Sequence, residues 1–337
     1  MATVLATVVR AEDAPGPTLV LRLDHLPVGA LALGAELARL RHALAGTAYA
    51  DLRKIALYGP AARPGPDLGY RFVQALPGGA FDFRAGCGHS LLACVVADGH
   101  RPGPVTVRAV TTGDTVLCEP EPRPRSELRS ELRSELRPEP RPEPEPRPEP
   151  RPRSELRSEP RPRPEPHGTE AYTLSFLKAP TAPGTLPTGR PVDVLCGVPV
   201  SLVRYGNPYV FVDARHLPDD ALQDRLLVLR AEAARILGHP PHSALPKIAA
   251  FSEGPEGLSV RALTVGGWHP RLALTGAAAL AAAGALDGTV VPARTGPVRT
   301  PGGTVTVSTA PDRVRVHHKR ATVLGRLELP WRIHATA

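Results

Sequence analysis

Hydrophobic and polar residues alternate in short runs along most of the chain, which is the pattern of β-strands with one buried face. Such runs, or short continuous apolar ones, occupy residues 2–10, 18–23, 51–58, 70–75, 105–110, 115–118, 169–177, 198–205, 209–213, 247–251 and 258–265. Gly, Asn, Asp and Thr, which favour turns, stand between several of these runs. The pattern predicts a chain built mainly from strands.

Four segments depart from the strand pattern and predict helices. Residues 31–44 and 221–237 repeat apolar positions at helical spacing, and a glycine follows each of them. Residues 91–97 and the alanine-rich run 272–286 have almost no polar side. These two helices are therefore predicted to be buried on all sides.

The two apolar helices hold the same place in two successive sets of strands. This arrangement predicts an α+β fold with two pseudo-symmetric domains, residues 1–118 and 167–337, each a barrel-like sheet wrapped around one central helix. The strands nearest the C-terminus can return to the first domain. The starts of the two central helices would then face each other across a cleft.

Residues 119–166 have a different composition, with repeats of Arg-Ser-Glu-Leu and Arg-Pro-Glu-Pro that hold 15 of the 41 prolines. The segment carries 12 Arg and 12 Glu, so the remainder keeps 41−12=29 basic and 33−12=21 acidic residues and the whole net charge of +8. Such a segment cannot bury a core and predicts an extended, solvated insert. A partner-binding segment is the functional alternative.

The net charge of +8 does not indicate a nucleic-acid-binding protein, because the basic residues outside the repeat are scattered singly. Four cysteines without a CxxC pair, and no signal segment at the start, favour reduced thiols in the cytoplasm. The apolar run 272–286 is too short to span a bilayer. We expect a cytoplasmic monomer or homodimer without nucleic-acid or membrane partners.

Lysine is rare among the 41 basic residues, and the four lysines are Lys54, Lys178, Lys247 and Lys319. Arginine keeps its proton in proteins, whereas a desolvated lysine can lose it. In a sequence so biased toward arginine, a surviving lysine is a candidate catalytic base. Chance retention is the alternative and is expected to explain some of the four.

Cys87 stands where a strand-like run breaks at Gly86 and Gly88 and an apolar helix begins. The first N–H groups of a helix have no partner within it, and with the helix dipole they bind anions and favour thiolate over thiol. Cys87 is therefore a candidate base or nucleophile. A buried cysteine beside a glycine turn is the structural alternative.

Several different motifs follow one another along nearly the whole chain outside the insert. They are Asp51-Leu52-Arg53-Lys54-Ile55-Ala56, Ala85-Gly86-Cys87-Gly88-His89, residues 200–214 with Gly206-Asn207-Pro208, Leu245-Pro246-Lys247-Ile248-Ala249, and His269 with Thr275-Gly276-Ala277 and Gly288-Thr289-Val290. In these motifs the chain resembles the 2-methylaconitate isomerase (PrpF) family, whose fold is shared with diaminopimelate epimerase. The resemblance implies that fold, and it implies functional roles for Lys54 and Cys87.

The chain also departs from the family's pattern. The family carries Arg-Gly-Gly-Thr-Ser-Lys-Gly near the N-terminus, where this chain has Arg10-Ala11-Glu12-Asp13-Ala14-Pro15-Gly16. Acids replace residues that suit an anion, so the loop expected to bind a tricarboxylate is altered or lost. His89 replaces an asparagine beside the thiol, and Val316-His317-His318-Lys319-Arg320 replaces the family's terminal Ser-Arg-Thr-Ala-Arg. The substrate is therefore expected to differ from 2-methylaconitate.

The function that these residues favour is the movement of a proton and a double bond in an unsaturated di- or tricarboxylic acid. Lys54 and Cys87 are the candidate acid–base pair. The candidate residues for holding the substrate's carboxylates are Gly88, His89, Asn207, His269, Arg271, Thr275 and Gly276. Since both catalytic candidates lie in the first domain and Thr275 cannot replace a second thiol unaided, we expect double-bond migration or cis–trans isomerisation rather than racemisation of amino acids.

Two alternatives stay open at the level of sequence. A non-catalytic binding protein that keeps the fold is favoured by the altered loop at residues 10–16 and disfavoured by the presence of both Lys54 and Cys87. A metal site at His317 and His318 lacks the usual spacing of ligands. We therefore expect neither a metal nor a cofactor.

Overall fold

The computed structural model describes residues 2–22, 30–99, 103–122, 170–240, 243–264, 267–293 and 296–331. The helices in these ranges are α1 Ala30–Leu44, α2 Gly88–Ala97, α3 Leu222–Ile236 and α4 Leu274–Gly284. The strands are β1 Ala2–Ala11, β2 Thr18–Arg22, β3 Lys54–Pro60, β4 Leu68–Ala75, β5 Phe81–Asp82, β6 Val105–Ala109, β7 Thr115–Pro120, β8 Ala171–Phe176, β9 Asp193–Leu195, β10 Val198–Tyr205, β11 Asn207–Asp213, β12 Lys247–Gly254, β13 Gly257–Thr264, β14 Gly267–Trp268, β15 Gly296–Thr300, β16 Gly303–Ala310 and β17 Arg313–Trp331.

One order of strand pairings occurs twice along the chain. In the first repeat, β2 pairs parallel with β3, β3 antiparallel with β4, and β4 with both β5 and β6. In the second repeat, β11, β12, β13, β14 and β15 make the same pairings in the same order. Helices α1 and α3 connect the two parallel strands of each repeat, and α2 and α4 follow β5 and β14.

The long strand β17 links the two repeats. Its first part pairs with β16 and β8, and its last part, from Ala321 onward, pairs with β1. Strand β8 also pairs with β7, so all seventeen strands of the described residues belong to one hydrogen-bonded network. The proposed domain limits at residues 118 and 167 stay predictions.

Helices α2 and α4 lie inside the sheet network, as their apolar sequences predicted. Every residue from Gly88 to Val96 and from Leu274 to Ala283 is buried. Both helices belong to the largest hydrophobic cluster, whereas α1 and α3 each pack over a smaller cluster on the outer face of one repeat. The four helices and the majority of strands give a mixed α/β fold. No helix in the described ranges is long and apolar enough to cross a membrane.

Some element boundaries differ from the sequence-based predictions. The strand predicted from residue 51 begins at Lys54, because the chain still turns through residues 45–51. Asn207 was predicted to lie in a turn, but it is the first residue of β11 and is buried, since only Gly206 is needed for the turn. Residues 23, 169 and 265 at predicted strand ends lie outside the described residues.

The predicted insert begins later than the change in composition indicates. Strand β7 continues to Pro120, because the Glu119 and Glu121 carboxylates accept hydrogen bonds from Ser175 and Thr173 of β8 at 3.1 and 2.6 Å. The backbone N–H of His318 also donates to Glu121 at 2.8 Å. Residues 123–166 of the predicted insert lie outside the described residues.

The starts of α2 and α4 touch each other at Gly88. A Cβ atom on Gly88 would lie 2.6 Å from Leu274 Cδ2 and 2.8 Å from Leu274 Cβ. These distances are shorter than the contacts that Cβ atoms make with other carbon atoms, so only glycine allows the two helix ends to meet in this way.

We expect Gly88→Ala to lower the free energy of unfolding by about 1–3 kcal/mol, because the added methyl group must push the two helix ends apart. Chemical denaturation measures this change. Gly34→Ala in α1 is the matched control: no atom lies within 4 Å of its added Cβ, so the better helix propensity of alanine makes that variant equal to or more stable than the parent. Equal stability of Gly88→Ala and the parent would contradict the helix contact.

Candidate active site

Cys87 immediately precedes α2 in an extended conformation, with φ −144° and ψ 108°. Its carbonyl oxygen accepts hydrogen bonds from the Leu91 N–H at 2.9 Å and from the Tyr70 hydroxyl at 2.8 Å. Its side chain caps no N–H group of the helix and is partly exposed. The thiol therefore lies beside helix N–H groups that it does not occupy, as the sequence predicted from the two flanking glycines.

The Asn207 side chain fixes the turn in front of Cys87. Its Oδ1 accepts a hydrogen bond from the Gly86 N–H, and its Nδ2 donates to the Gly86 carbonyl, both at 2.7 Å. The same Nδ2 also donates to Thr275 Oγ1 at 3.3 Å, at the start of α4. One amide from the second repeat thus joins the cysteine turn to the other buried helix. The predicted contact of Asn207 with a substrate is not tested by this geometry.

Lys54 is the first residue of β3 and reaches toward the loop that follows β1. Its Nζ lies 3.5 Å from the Gly16 carbonyl oxygen. Burial lowers the pKa of Lys54, the Cys87 thiol opposes this effect, and the positive charge of Arg10 adds to it. Lys54 therefore exists as a neutral amine more readily than an ordinary lysine, which is what a general base requires.

A cavity of about 330 Å³ opens beside Lys54. Its lining includes Gly16, Tyr49, Leu52, Lys54, Gln74 and Thr264. Gln74 was not predicted as a site residue. Its amide donates to the Arg53 carbonyl at 2.8 Å and fixes the backbone just before Lys54. A second, small space of about 20 Å³ borders Cys87 and Thr275 on the side of the first repeat's core.

The two predicted histidines meet although they come from different repeats. The rings of His89 and His269 are stacked, with centroids 6.1 Å apart and an angle of 17° between planes. Burial, together with the charge of Lys54, lowers the pKa of His269 to about 4 and holds that of His89 well below its usual range. Both rings are therefore neutral at pH 7. The buried Nε2 of His89 has no hydrogen-bond partner among the described residues, which is uncommon for a buried polar atom.

Asp13, in the altered N-terminal loop, neutralises two cations. Its carboxylate accepts from Lys319 Nζ, and Arg271 Nη1 lies 2.6 Å from its other oxygen. Asp13 and Lys319 are 6% and 4% exposed. Arg271, predicted to hold a substrate carboxylate, is thus already paired with a carboxylate of the chain itself. The sequence showed that each residue is unusual, because an acid replaces an anion-binding residue at position 13 and Lys319 is one of only four lysines, but it gave no signal that the two meet.

Several of the predicted residues lie near one another in the described part of the chain. The charge of Lys54 acts on both His89 and His269, and Thr275 and Gly276 lie buried at the start of α4 beside Asn207. Gly276 lies against the Tyr209 hydroxyl, which would be 2.5 Å from an added Cβ. The roles of these residues toward a substrate stay predictions. In the part of the chain that the structure describes, no three His, Cys, Asp or Glu residues are grouped to hold a metal ion.

Part of the sequence is similar to a curated protein. No family model matches the sequence. The chain is 32% identical over 142 residues to putative isomerase YbhH from Escherichia coli K12 and from Shigella flexneri, which is 36% of this chain and 41% of the relative. The match thus spans about two fifths of the length of these curated relatives.

Two solved structures resemble nearly the whole chain. Methylitaconate-delta-isomerase has a TM-score of 0.60 at 20% sequence identity, over 97% of this chain and 95% of that one. A hydroxyproline epimerase from Agrobacterium vitis has a TM-score of 0.54 at 15% identity, over 97% and 92%. At these identities the likeness shows the fold, which is the diaminopimelate epimerase-like fold.

The low pKa of His269 predicts that this residue makes the protein less stable in acid. Between pH 6.5 and 4 the unfolded chain binds a proton at this position and the folded chain does not, so stability falls as pH drops through that range. A shift from 6.5 to about 4 corresponds to about 3 kcal/mol.

We therefore expect His269→Gln to lose less stability between pH 6.5 and 4 than the parent, as measured by urea denaturation at several pH values. His216→Gln, which changes an exposed histidine in the second repeat, is the matched control. Parallel pH curves for His269→Gln and the parent would show that His269 is not held neutral.

Proposed function

We propose that this protein is an isomerase that shifts a proton and a double bond in an unsaturated carboxylic acid, in the manner of the 2-methylaconitate isomerase family. The observation that carries the proposal is that Lys54, whose pKa is lowered by burial, lies within electrostatic range of Cys87 at the start of a buried helix. The match to a putative isomerase and the fold shared with methylitaconate-delta-isomerase support it.

The reaction requires a base, an acid and a site for negative charge. The neutral amine of Lys54 takes a proton from the carbon next to the double bond, and the electron pair of that C–H bond moves into a dienolate conjugated with the carboxylate. Cys87 delivers a proton to the far carbon of the allylic unit, which forms the new C–H bond and completes the shift of the double bond. The N–H groups at the start of α2 and the neutral His89 ring stabilise the dienolate oxygens.

The charged groups of the site favour a substrate with one or two carboxylates over one with three. Arg271 and Lys319 would bind an additional carboxylate, but Asp13 occupies both. A further carboxylate of the substrate would lie close to Asp13, where like charges repel. We therefore propose an unsaturated monocarboxylate or dicarboxylate as the substrate class.

A binding protein without catalytic activity is the second candidate. The specific observation in its favour is also the pairing of Arg271 with Asp13, which takes one predicted substrate-binding residue out of use. The electrostatic coupling of a desolvated lysine, Lys54, with the partly exposed thiol of Cys87 and with the buried ring of His89, whose Nε2 has no partner among the described residues, favours the enzyme.

Solvent isotope exchange tests the proposed reaction. The parent protein is incubated in deuterated water with a panel of unsaturated mono-, di- and tricarboxylates, and deuterium incorporation is followed by mass spectrometry and NMR. We expect incorporation with double-bond migration for one class of acid. Lys54→Ala and Cys87→Ser should each reduce it by at least about 100-fold, since each removes an acid–base group. Cys196→Ser, which changes an exposed cysteine away from the cleft, should keep full activity.

Binding of these acids without exchange by the parent protein would favour the binding protein over the enzyme. Full activity of Lys54→Ala or Cys87→Ser would refute the acid–base assignment. Racemisation of an amino acid by the parent would refute the proposed reaction type.

The role of Asp13 in selectivity can be tested by removing its charge. We expect Asp13→Asn to raise the affinity for a tricarboxylate relative to a dicarboxylate by about 10-fold or more, because Arg271 and Lys319 become free to bind it. Asp213→Asn, which removes a buried carboxylate paired with Arg215 on the surface, is the control with unchanged preference. Competitive binding of the two acids, measured by calorimetry, gives the ratio directly. An unchanged ratio in Asp13→Asn would exclude Asp13 as a determinant of selectivity.

A further inference from the structure

Lys247 holds the same place in the second repeat that Lys54 holds in the first. Each lysine is the first residue of the second strand in a parallel pair, with Lys54 opposite Thr18 and Lys247 opposite Tyr209. Residues opposite each other in a parallel pair point to the same face of the sheet. The position of the partner residue therefore indicates where each lysine is directed.

Both partner residues contact the start of a buried helix. The hydroxyl of Thr18 lies 3.0 Å from that of Ser90 in α2. Tyr209 bonds with Thr275 at the start of α4 and lies against Gly276. Lys54 and Lys247 are thus placed at the starts of α2 and α4. Since these two helix ends touch, the two lysines come within electrostatic range of each other.

Electrostatic effects agree with this placement. Burial lowers the pKa of Lys247 to about 8, with Arg230 and Lys54 lowering it and Cys87 and Asp82 raising it. Lys54 and Lys247 also both lower the pKa of His269. Lys247 therefore lies within electrostatic range of the candidate catalytic pair.

The ammonium group of Lys247 has no hydrogen-bond or ion-pair partner among the described residues. The nearby carboxylate of Asp82 already accepts hydrogen bonds from other groups of the protein. Its two oxygens accept hydrogen bonds from Ser243 Oγ at 3.1 Å and from the N–H groups of Ala244 and Arg84, both at 2.8 Å. A desolvated cation without a counter-ion is costly, and an anion in the cleft would remove that cost.

The other cations at the cleft are less suited to holding a substrate anion. Arg271 and Lys319 are paired with Asp13, and the proposed reaction needs Lys54 as a neutral amine. Lys247 is not paired with Asp13 and has no proton-transfer role in the proposed reaction, and below its pKa of about 8 it carries a positive charge.

We propose that Lys247 binds the substrate carboxylate that is conjugated with the shifting double bond. This inference rests on the proposed function for the identity of the ligand. When Lys54 removes a proton, negative charge moves onto the oxygens of this carboxylate, so a cation beside it stabilises the transition state more than the bound substrate. The second repeat would then add a cation to the carboxylate site that the α2 N–H groups and His89 form in the first repeat, while Lys54 and Cys87 of the first repeat move the proton.

Substitutions of Lys247 separate the loss of charge from the loss of a titratable amine. Lys247→Met removes the charge and should weaken binding of the preferred acid by about 10-fold or more, with a further fall in kcat. Lys247→Arg keeps a positive charge and should retain binding within about 10-fold of the parent. Lys178→Met, which changes a lysine that contacts the Arg204 carbonyl outside the cleft, should leave binding and rate unchanged.

Binding is measured by calorimetry with itaconate and crotonate as dicarboxylate and monocarboxylate probes, and rate by deuterium incorporation. Thermal denaturation of each variant verifies that it is folded. If Lys247→Met binds both acids as tightly as the parent, the inference is wrong. Loss of binding in Lys247→Met but not in Lys247→Arg supports it, even if the parent shows no turnover. Absence of turnover with any acid refutes the proposed isomerase separately.

Discussion

The candidate active site depends on the contact between the starts of two buried helices. Gly88 of α2 and Leu274 of α4 approach so closely that no side chain fits between them. Asn207 strengthens this contact through hydrogen bonds to Gly86 and Thr275. Because all residues in both helix starts are buried, their position cannot change without disturbing the main hydrophobic cluster. The protein thus holds a thiol and two sets of helix N–H groups in a fixed relation.

The distribution of charge in the cleft follows from this rigid frame. Asp13 neutralises Arg271 and Lys319, and burial keeps the His89 and His269 rings uncharged. Among the basic residues that the structure describes, Lys54 and Lys247 each begin a strand beside the start of a buried helix. Their desolvation costs stability, and the proposed binding and reaction of an anion is a reason for a protein to keep them.

Much of the architecture follows from the local sequence. The alternation of apolar residues predicts most of the strands before β14, and the absence of a polar side predicts that α2 and α4 are buried. The candidate residues Lys54 and Cys87 also follow from local features, namely a rare lysine and a cysteine between glycines at a helix start. These features involve residues that are close together in the sequence, so the sequence alone reveals them.

Contacts between distant parts of the chain could not be predicted in this way. The sequence does not reveal that Asp13 pairs with Lys319, which is 306 positions away. It also does not reveal that the His89 ring stacks on that of His269, or that the Asn207 side chain hydrogen-bonds to the backbone of Gly86. Neither does it show the equivalence of Lys54 and Lys247, which depends on the register of two separate parallel pairs. Composition and periodicity determine which segments are buried, whereas strand register and helix packing decide which side chains meet, because those depend on the closure of the whole sheet network.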